Sequence, residues 1–277
     1  MNLENISNQI KDEGFILIKN YLNNEETQSI KENITPLYNN KIGKNNGVIF
    51  YNGKRILINH IKNMKLNLFT KSLSLMYSKY NNEFKKVSKK ILVKSYLRRI
   101  DSYISPIDTN PVINWHNDTS YSGSTNVTKG FHHPDFFKLR FFLYLTDVEF
   151  KNGALAYLPC SHKVTSFVTR LIYEKIIDYQ PHSTFNEILE ILKNRDIIKL
   201  FNLKNNPLIL EEFKKNVEKV MSNNDTKDFD NEAKAGSLVI FDDRGFHRGS
   251  SCEKTKRHVV RFIYSSKEIE NKKLFNY

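Results

Sequence analysis

Hydrophobic positions along the chain follow two rhythms, the period of two that suits a strand and the three-to-four spacing that suits a helix. Asn24, with Glu25 and Glu26 behind it, gives a capped, acidic helix start that runs into Ile30 and Ile34, with Pro36 as the expected stop. Over 65–84, residues Leu66, Phe69, Leu73, Met76, Tyr77 and Tyr80 fall on one helical stripe, which predicts an amphipathic helix packed on a sheet. Residues 91–100 read as a strand, and 101–111, with Pro106 and Pro111, as a loop. A second loop is expected over 123–134; its adjacent His132 and His133 read as solvated side chains, not ligands. Segments 167–179, 184–193 and 207–221 each show helical apolar spacing, and 222–231 is polar and turn-like. The β-branched run Arg257-His258-Val259-Val260-Arg261-Phe262-Ile263-Tyr264 reads as a strand.

Two distant segments carry the candidate chemistry. Asn114-Trp115-His116-Asn117-Asp118-Thr119 holds a His-x-Asp pair, and residues two apart on extended chain point the same way, so His116 and Asp118 can reach one ion while Asn117 faces away. Phe241-Asp242-Asp243-Arg244-Gly245-Phe246-His247-Arg248-Gly249 adds His247. Two imidazoles and one carboxylate leave three positions of an octahedral metal open, as non-heme Fe(II) oxygenases need for a chelating cosubstrate and O₂. Arg257, ten residues after His247, is a fixed cation suited to the far carboxylate of 2-oxoglutarate. Arg261 lies on the same strand face by parity and is the fallback.

Four stretches, in order, carry a family likeness: Asp12-Glu13-Gly14-Phe15-Ile16-Leu17-Ile18 onward to Asn24-Glu25-Glu26; Trp115-His116-Asn117-Asp118; Lys138-Leu139-Arg140-Phe141-Phe142-Leu143-Tyr144 through Asn152-Gly153-Ala154 to Pro159-Cys160-Ser161-His162; and Ala235-Gly236-Ser237-Leu238-Val239-Ile240-Phe241-Asp242 up to Tyr264. They resemble the opening strand and helix, iron motif, central hairpin and closing strands of the phytanoyl-CoA dioxygenase family of Fe(II)/2-oxoglutarate-dependent oxygenases. The resemblance implies a mainly β fold with flanking α, a double-stranded β-helix (cupin-like jelly roll) of two antiparallel sheets with helices outside. It implies one domain over 1–277, with a helical insertion at 165–235 near the active-site mouth. It also implies Fe(II) on His116, Asp118 and His247, and hydroxylation of an unactivated C–H bond as 2-oxoglutarate and O₂ give succinate and CO₂. Asp118 stands where the iron halogenases have a small residue, which favours hydroxylation. Three departures stand out. Cys160 replaces a usual glycine, Gly249 occupies a place often held by a small hydroxyl residue with Ser250 next to it, and Arg257 lies ten rather than eleven residues past His247. Ser250, Arg140, Tyr96 and Arg98 are further candidates for cosubstrate or substrate contacts. Asp242 and Asp243 are candidate hydrogen-bond partners of His247, and Trp115 is either a pocket wall or core.

Composition narrows the setting. The chain has 277 residues, a length at which one oxygenase barrel with helical additions is common, and only two cysteines, Cys160 and Cys252, so a reducing, cytoplasmic setting is expected. The N-terminus lacks the pattern of a signal peptide, and no apolar run approaches membrane-spanning length, so a soluble protein is expected. The formal charge of +13 is uneven: residues 1–164 carry 23 Lys and Arg against 13 Asp and Glu, while 165–235 carry 11 against 12. A basic cleft would attract an anionic small-molecule substrate. The lysines are scattered among asparagines without a dense stripe, which argues against nucleic acid as a partner. A nucleic-acid-directed oxidative demethylase and a non-catalytic jelly-roll binding protein are the alternative readings. The substrate is open among polar metabolites, sugars and acyl thioesters.

Overall fold

The apolar runs form two antiparallel sheets, and which face of each strand is apolar decides what packs on it. The structure, a computed structural model, describes residues 2–39, 48–51, 55–58, 71–92, 94–105, 107, 114–118, 134–135, 137–223 and 227–266. In chain order the strands are β1 (Phe15–Ile18), β2 (Val48–Tyr51), β3 (Arg55–Ile58), β4 (Tyr96–Ser105), β5 (Lys138–Tyr144), β6 (Leu155–Tyr157), β7 (Asp230–Asn231), β8 (Leu238–Asp242), β9 (His247–Gly249) and β10 (Arg257–Ser265). The larger sheet has the order β1-β8-β5-β10-β4-β3-β2 and the smaller β7-β6-β9. His116 extends the smaller sheet by pairing antiparallel with His247.

β10 shows the logic. Val260, Phe262 and Tyr264 point to a core built with Ile10, Ile34 and Phe84 from α1 (Leu3–Glu13), α2 (Asn24–Asn39) and α3 (Lys71–Leu92). Phe84 stacks on Phe141 at 4.6 Å and meets Phe262 edge-on at 5.0 Å, geometries that aromatic quadrupoles favour. The opposite face of β10 carries Arg257, Val259 and Arg261, and Val259 joins Phe142, Tyr144, Val239 and Phe241 of the larger sheet with Leu155 and Tyr157 of the smaller. That second core fills the space between the sheets. A third is built by α4 (Ser161–Tyr173), α5 (Phe185–Ile191), α6 (Arg195–Lys204) and α7 (Pro207–Asn223) around Phe201 and Phe213, and it includes Phe246 and Trp115 from beside the metal-ligand candidates. No described helix is long and apolar enough to cross a membrane.

Several sequence expectations are corrected. α1 was not anticipated; Asn2 caps it and Gly14 ends it in the left-handed conformation at φ 90°, where a Cβ would stand 2.3 Å from the Tyr157 hydroxyl. α2 is capped by Asn23, which exchanges bonds with Glu26 (2.8 and 3.1 Å), and it continues past Pro36 to Asn39. α3 runs on to Leu92, and its expected start at 65–70 lies outside the described residues, as do 123–133 with His132 and His133. The strand expected at 91–100 begins at Tyr96 and occupies the first half of the expected loop, because β10 pairs with it as far as Ser105. The expected central hairpin is not one: β5 pairs with β8 and β10, β6 with β7 and β9, so the chain crosses between sheets there. The helix expected from 167 starts at Ser161, and α6, capped by Asn194, was not anticipated.

Three buried imidazoles outside the metal-ligand cluster, His162, His182 and His258, make the fold acid-sensitive, since burial lowers the pKa of each. Burial pushes His162 and His258 each down to about 4, whereas an unfolded histidine titrates near 6.5. Both are neutral in either state above pH ~6.5, so they cost nothing there. As pH falls from ~6.5 towards 4 the unfolded chain takes up protons that the fold refuses, and stability declines by roughly 3 kcal/mol at most for each. His258 bonds the Ser102 hydroxyl at 3.1 Å. Denaturant titrations at pH 7 and pH 5 should show that His258→Gln loses less stability between them than the parent; an equal loss would rule out this source.

Candidate metal centre

The centre is built by one pair of backbone bonds. The His116 N–H donates to the His247 carbonyl (3.1 Å) and the His247 N–H to the His116 carbonyl (2.9 Å), which locks the 114–118 segment against β9. The Asp118 N–H then bonds the Asp243 carbonyl (2.9 Å). Alternate residues take opposite sides. Asn117 is held outward, its N–H on the Ser183 carbonyl (3.1 Å) and its amide on the His182 carbonyl (2.7 Å). Trp115 packs outward on Phe185 at 5.6 Å, partly buried against the helical core and on the side away from His116 and Asp118. His116, Asp118 and His247 are left facing one another.

The turn that delivers His247 is itself braced. The Phe246 N–H bonds the Ser161 hydroxyl (2.8 Å), and the Thr165 hydroxyl donates to the Arg244 carbonyl (2.7 Å), so the first turn of α4 holds it. At Gly245 a Cβ would lie 1.9 Å from the Tyr157 hydroxyl, which explains glycine there.

Three donor atoms, one from each residue, lie within 4.8 Å of one another. His116 Nε2 is 3.6 Å from Asp118 Oδ1, and His247 Nε2 is 3.8 Å from Asp118 Oδ2. Around an ion with ~2.1 Å bonds, adjacent donors stand ~3 Å apart, a contraction within the reach of side-chain torsions. Each Nδ1–H donates to a carbonyl, His116 to Asn114 (2.7 Å) and His247 to Gly245 (2.9 Å), so each Nε2 keeps its lone pair inward. Burial pushes His247 down to about 3 and keeps it neutral, as a ligand must be. Burial alone would raise the Asp118 carboxyl, but Arg140 and His247 outweigh it and hold it well below the usual carboxylate range. Arg140 is ion-paired to Asp118 Oδ2, which leaves Oδ1 for an ion. The donor set fits Fe(II).

Against family models the chain matches phytanoyl-CoA dioxygenase (PhyH) over residues 10–258. The chain belongs to the phytanoyl-CoA dioxygenase family. It is an enzyme of the Fe(II)/2-oxoglutarate-dependent oxygenases, with iron and 2-oxoglutarate as cofactor and cosubstrate. No curated protein sequence matches it. Among solved structures it is similar to the epimerase SnoN in complex with Fe3+, alpha ketoglutarate and nogalamycin RO, with TM-score 0.53 and 11% identity over 95% of this chain and 82% of that one. It is also similar to AviO1 from Streptomyces viridochromogenes Tue57 (TM-score 0.52, 11% identity, 95% of each chain). HygX from Streptomyces hygroscopicus with nickel and 2-oxoglutarate bound gives TM-score 0.52 and 13% identity over 94% of this chain and 85% of that one. At these identities the likeness is one of fold.

The other expected site residues of this family member divide between two faces. Arg257 reaches the Gly153 carbonyl (2.9 Å) and the Ser105 hydroxyl (3.1 Å), and its guanidinium crosses Gly249, where a Cβ would stand 3.1 Å from Nη1. Glycine in place of the usual small hydroxyl residue therefore makes room for this arginine. Arg261 is committed to Asp101 through Nε (2.6 Å) and Nη2 (2.5 Å), both residues buried. Arg140, besides Asp118, approaches Asp243 at 3.4 Å. Ser250 points the other way, lining a cavity outside β9 together with Arg248 and Trp115. Neither aspartate before the ligand touches His247: Asp242 grips Arg244, and Asp243 accepts from the Lys138 N–H (3.1 Å). Ser161, expected to shape a turn, does so by bonding the Phe246 N–H; Asn117 and Thr165 were not anticipated in supporting roles, and only the alternation around the His-x-Asp pair hinted at the first.

His116→Ala and His247→Ala should each abolish Fe(II) binding, read as iron per protein after gel filtration, while the thermal transition persists. Iron retained at parent stoichiometry in either variant would exclude that residue as a ligand.

Proposed function

We propose that the enzyme hydroxylates an unactivated C–H bond of a small-molecule metabolite, within a double-stranded β-helix domain spanning 1–277. The observation that carries this is Asp118: a carboxylate stands third in the donor set, with Oδ2 ion-paired to Arg140 and 3.8 Å from His247 Nε2, and Oδ1 3.6 Å from His116 Nε2. With 2-oxoglutarate and O₂, bound iron supplies the oxidising power for C–H attack, and succinate and CO₂ leave. The residues do the rest: His116, Asp118 and His247 hold the ion on one side, and Arg257 seats the distal carboxylate of the cosubstrate from β10. Arg261, neutralised by Asp101, is the weaker choice for that contact. The insertion at 165–235 borders the site from outside the metal-bearing segment, where Asn117 and Trp115 engage it. SnoN, an epimerase from nogalamycin biosynthesis, supports a small-molecule substrate, and the excess of Lys and Arg over 1–164 supports an anionic one. A cytoplasmic setting fits two free cysteines.

A metabolite library screened for succinate release should yield a substrate whose product gains one oxygen atom by mass spectrometry. Succinate released with a product of unchanged mass, or one lighter by two hydrogens, would replace hydroxylation by epimerisation or desaturation on the same donor set. Saturable turnover only with methylated single-stranded DNA would move the reading to nucleic-acid repair.

The two arginines should separate cleanly. Arg257→Ala should raise the 2-oxoglutarate requirement by about one to two decades, the worth of a lost charge-assisted contact, with little change in melting. Arg261→Ala should instead cost roughly 3–5 kcal/mol of stability, because buried Asp101 loses the cation of its ion pair. Should Arg261→Ala fold normally and bear the larger cosubstrate defect, the assignments exchange.

A further inference from the structure

A cavity of about 510 Å³ lies on the outer side of β9 and the 114–118 segment, away from the face where His116, Asp118 and His247 meet. That volume falls within the roughly 300–1,000 Å³ of small-molecule sites. Its walls combine the Trp115 and Phe185 rings with Met221, and its cations are Arg248 and Lys151; among the described residues no acidic side chain lines it. Arg248 lies 5.6 Å over the Trp115 ring and touches Asp230 only at 3.5 Å.

Two donors at this place are buried without a partner among the described residues, the Ser250 hydroxyl and the Trp115 indole N–H. Ser250 is 5% exposed and borders the cavity as a residue, with its hydroxyl buried just behind the wall. A buried polar atom left unmade is uncommon, and where it lines a cavity it marks the place of a missing acceptor. Donors and cations over aromatic walls call for an acceptor-rich anion with a flat apolar body. We propose that this cavity is a second ligand site, distinct from the metal centre, for an aromatic or conjugated carboxylate: the carboxylate meets Arg248, Lys151 and the Ser250 hydroxyl, and the flat body lies against Trp115 and Phe185.

Trp115 is the sole tryptophan of the chain, so its fluorescence reports on this site directly. The test titrates 4-nitrobenzoate, a quenching aromatic carboxylate, into the full-length Fe(II) enzyme under argon in saturating 2-oxoglutarate. Quenching should saturate, and neutral 4-nitrobenzyl alcohol should quench only linearly. Arg248→Gln should weaken binding about tenfold, the order expected for one charge-assisted contact. Ser250→Ala and the exposed rim variant Lys151→Gln should each weaken it severalfold; the latter keeps the test decisive if Arg248→Gln does not fold. Linear quenching by both compounds would show a water-filled cleft and overturn the proposal. So would displacement of 4-nitrobenzoate by raising 2-oxoglutarate, which would place the probe at the metal centre, or equal affinity in the folded variants.

Discussion

The reciprocal backbone pairing of His116 with His247 is the constraint on which the site depends. It joins two segments that are far apart in the chain and sets their register to the residue. Because side chains on extended chain alternate, a slip of one residue would exchange Trp115 and Asn117 for the two candidate ligands, His116 and Asp118. The outward side is therefore as demanding as the inward one. Trp115 and Phe246 belong to the helical core, and Asn117 is bonded to the backbone at His182 and Ser183. Helices α4 to α7 thus act as a mould against which the metal-bearing segments are pressed.

Charge inside the fold is handled by pairing, not by exclusion. Arg261 meets Asp101, Arg244 meets Asp242, and Arg140 stands between Asp118 and Asp243. A buried ion pair of this kind adds little net stability, but removing one partner strands the other, so each pair specifies position more than it stabilises. The Arg140 pairing has a chemical consequence as well. By pairing with one oxygen of Asp118 it would leave the other for an ion at this candidate centre.

The glycines at this site do steric work. Gly245 admits the Tyr157 hydroxyl beneath the turn before His247, and Gly249 admits the Arg257 guanidinium beside β9. The second case gives a departure from the family pattern a physical reading: a side chain at that position would crowd the arginine, whose guanidinium would have to shift slightly.

The sequence by itself determined the family and offered a candidate donor set. His-x-Asp reads as a ligand pair because strand alternation is a local property, and the order of four motif stretches pointed to His247 as the distal candidate without coordinates. It also marked most helices, since apolar periodicity is written in consecutive residues. What only the tertiary structure decided was partnership. β4 extends through residues expected as loop because β10 lies beside it, and β5 and β6, expected as a hairpin, belong to different sheets. Arg257 and Arg261 share a strand face and are equivalent in sequence, yet Asp101, opposite Arg261 on the neighbouring β4, claims one of them. Ser250, one step beyond Gly249, falls on the opposite side of β9 from the ligands. Such contacts join residues far apart in the chain, and no local rule of spacing encodes which distant charge or strand arrives alongside.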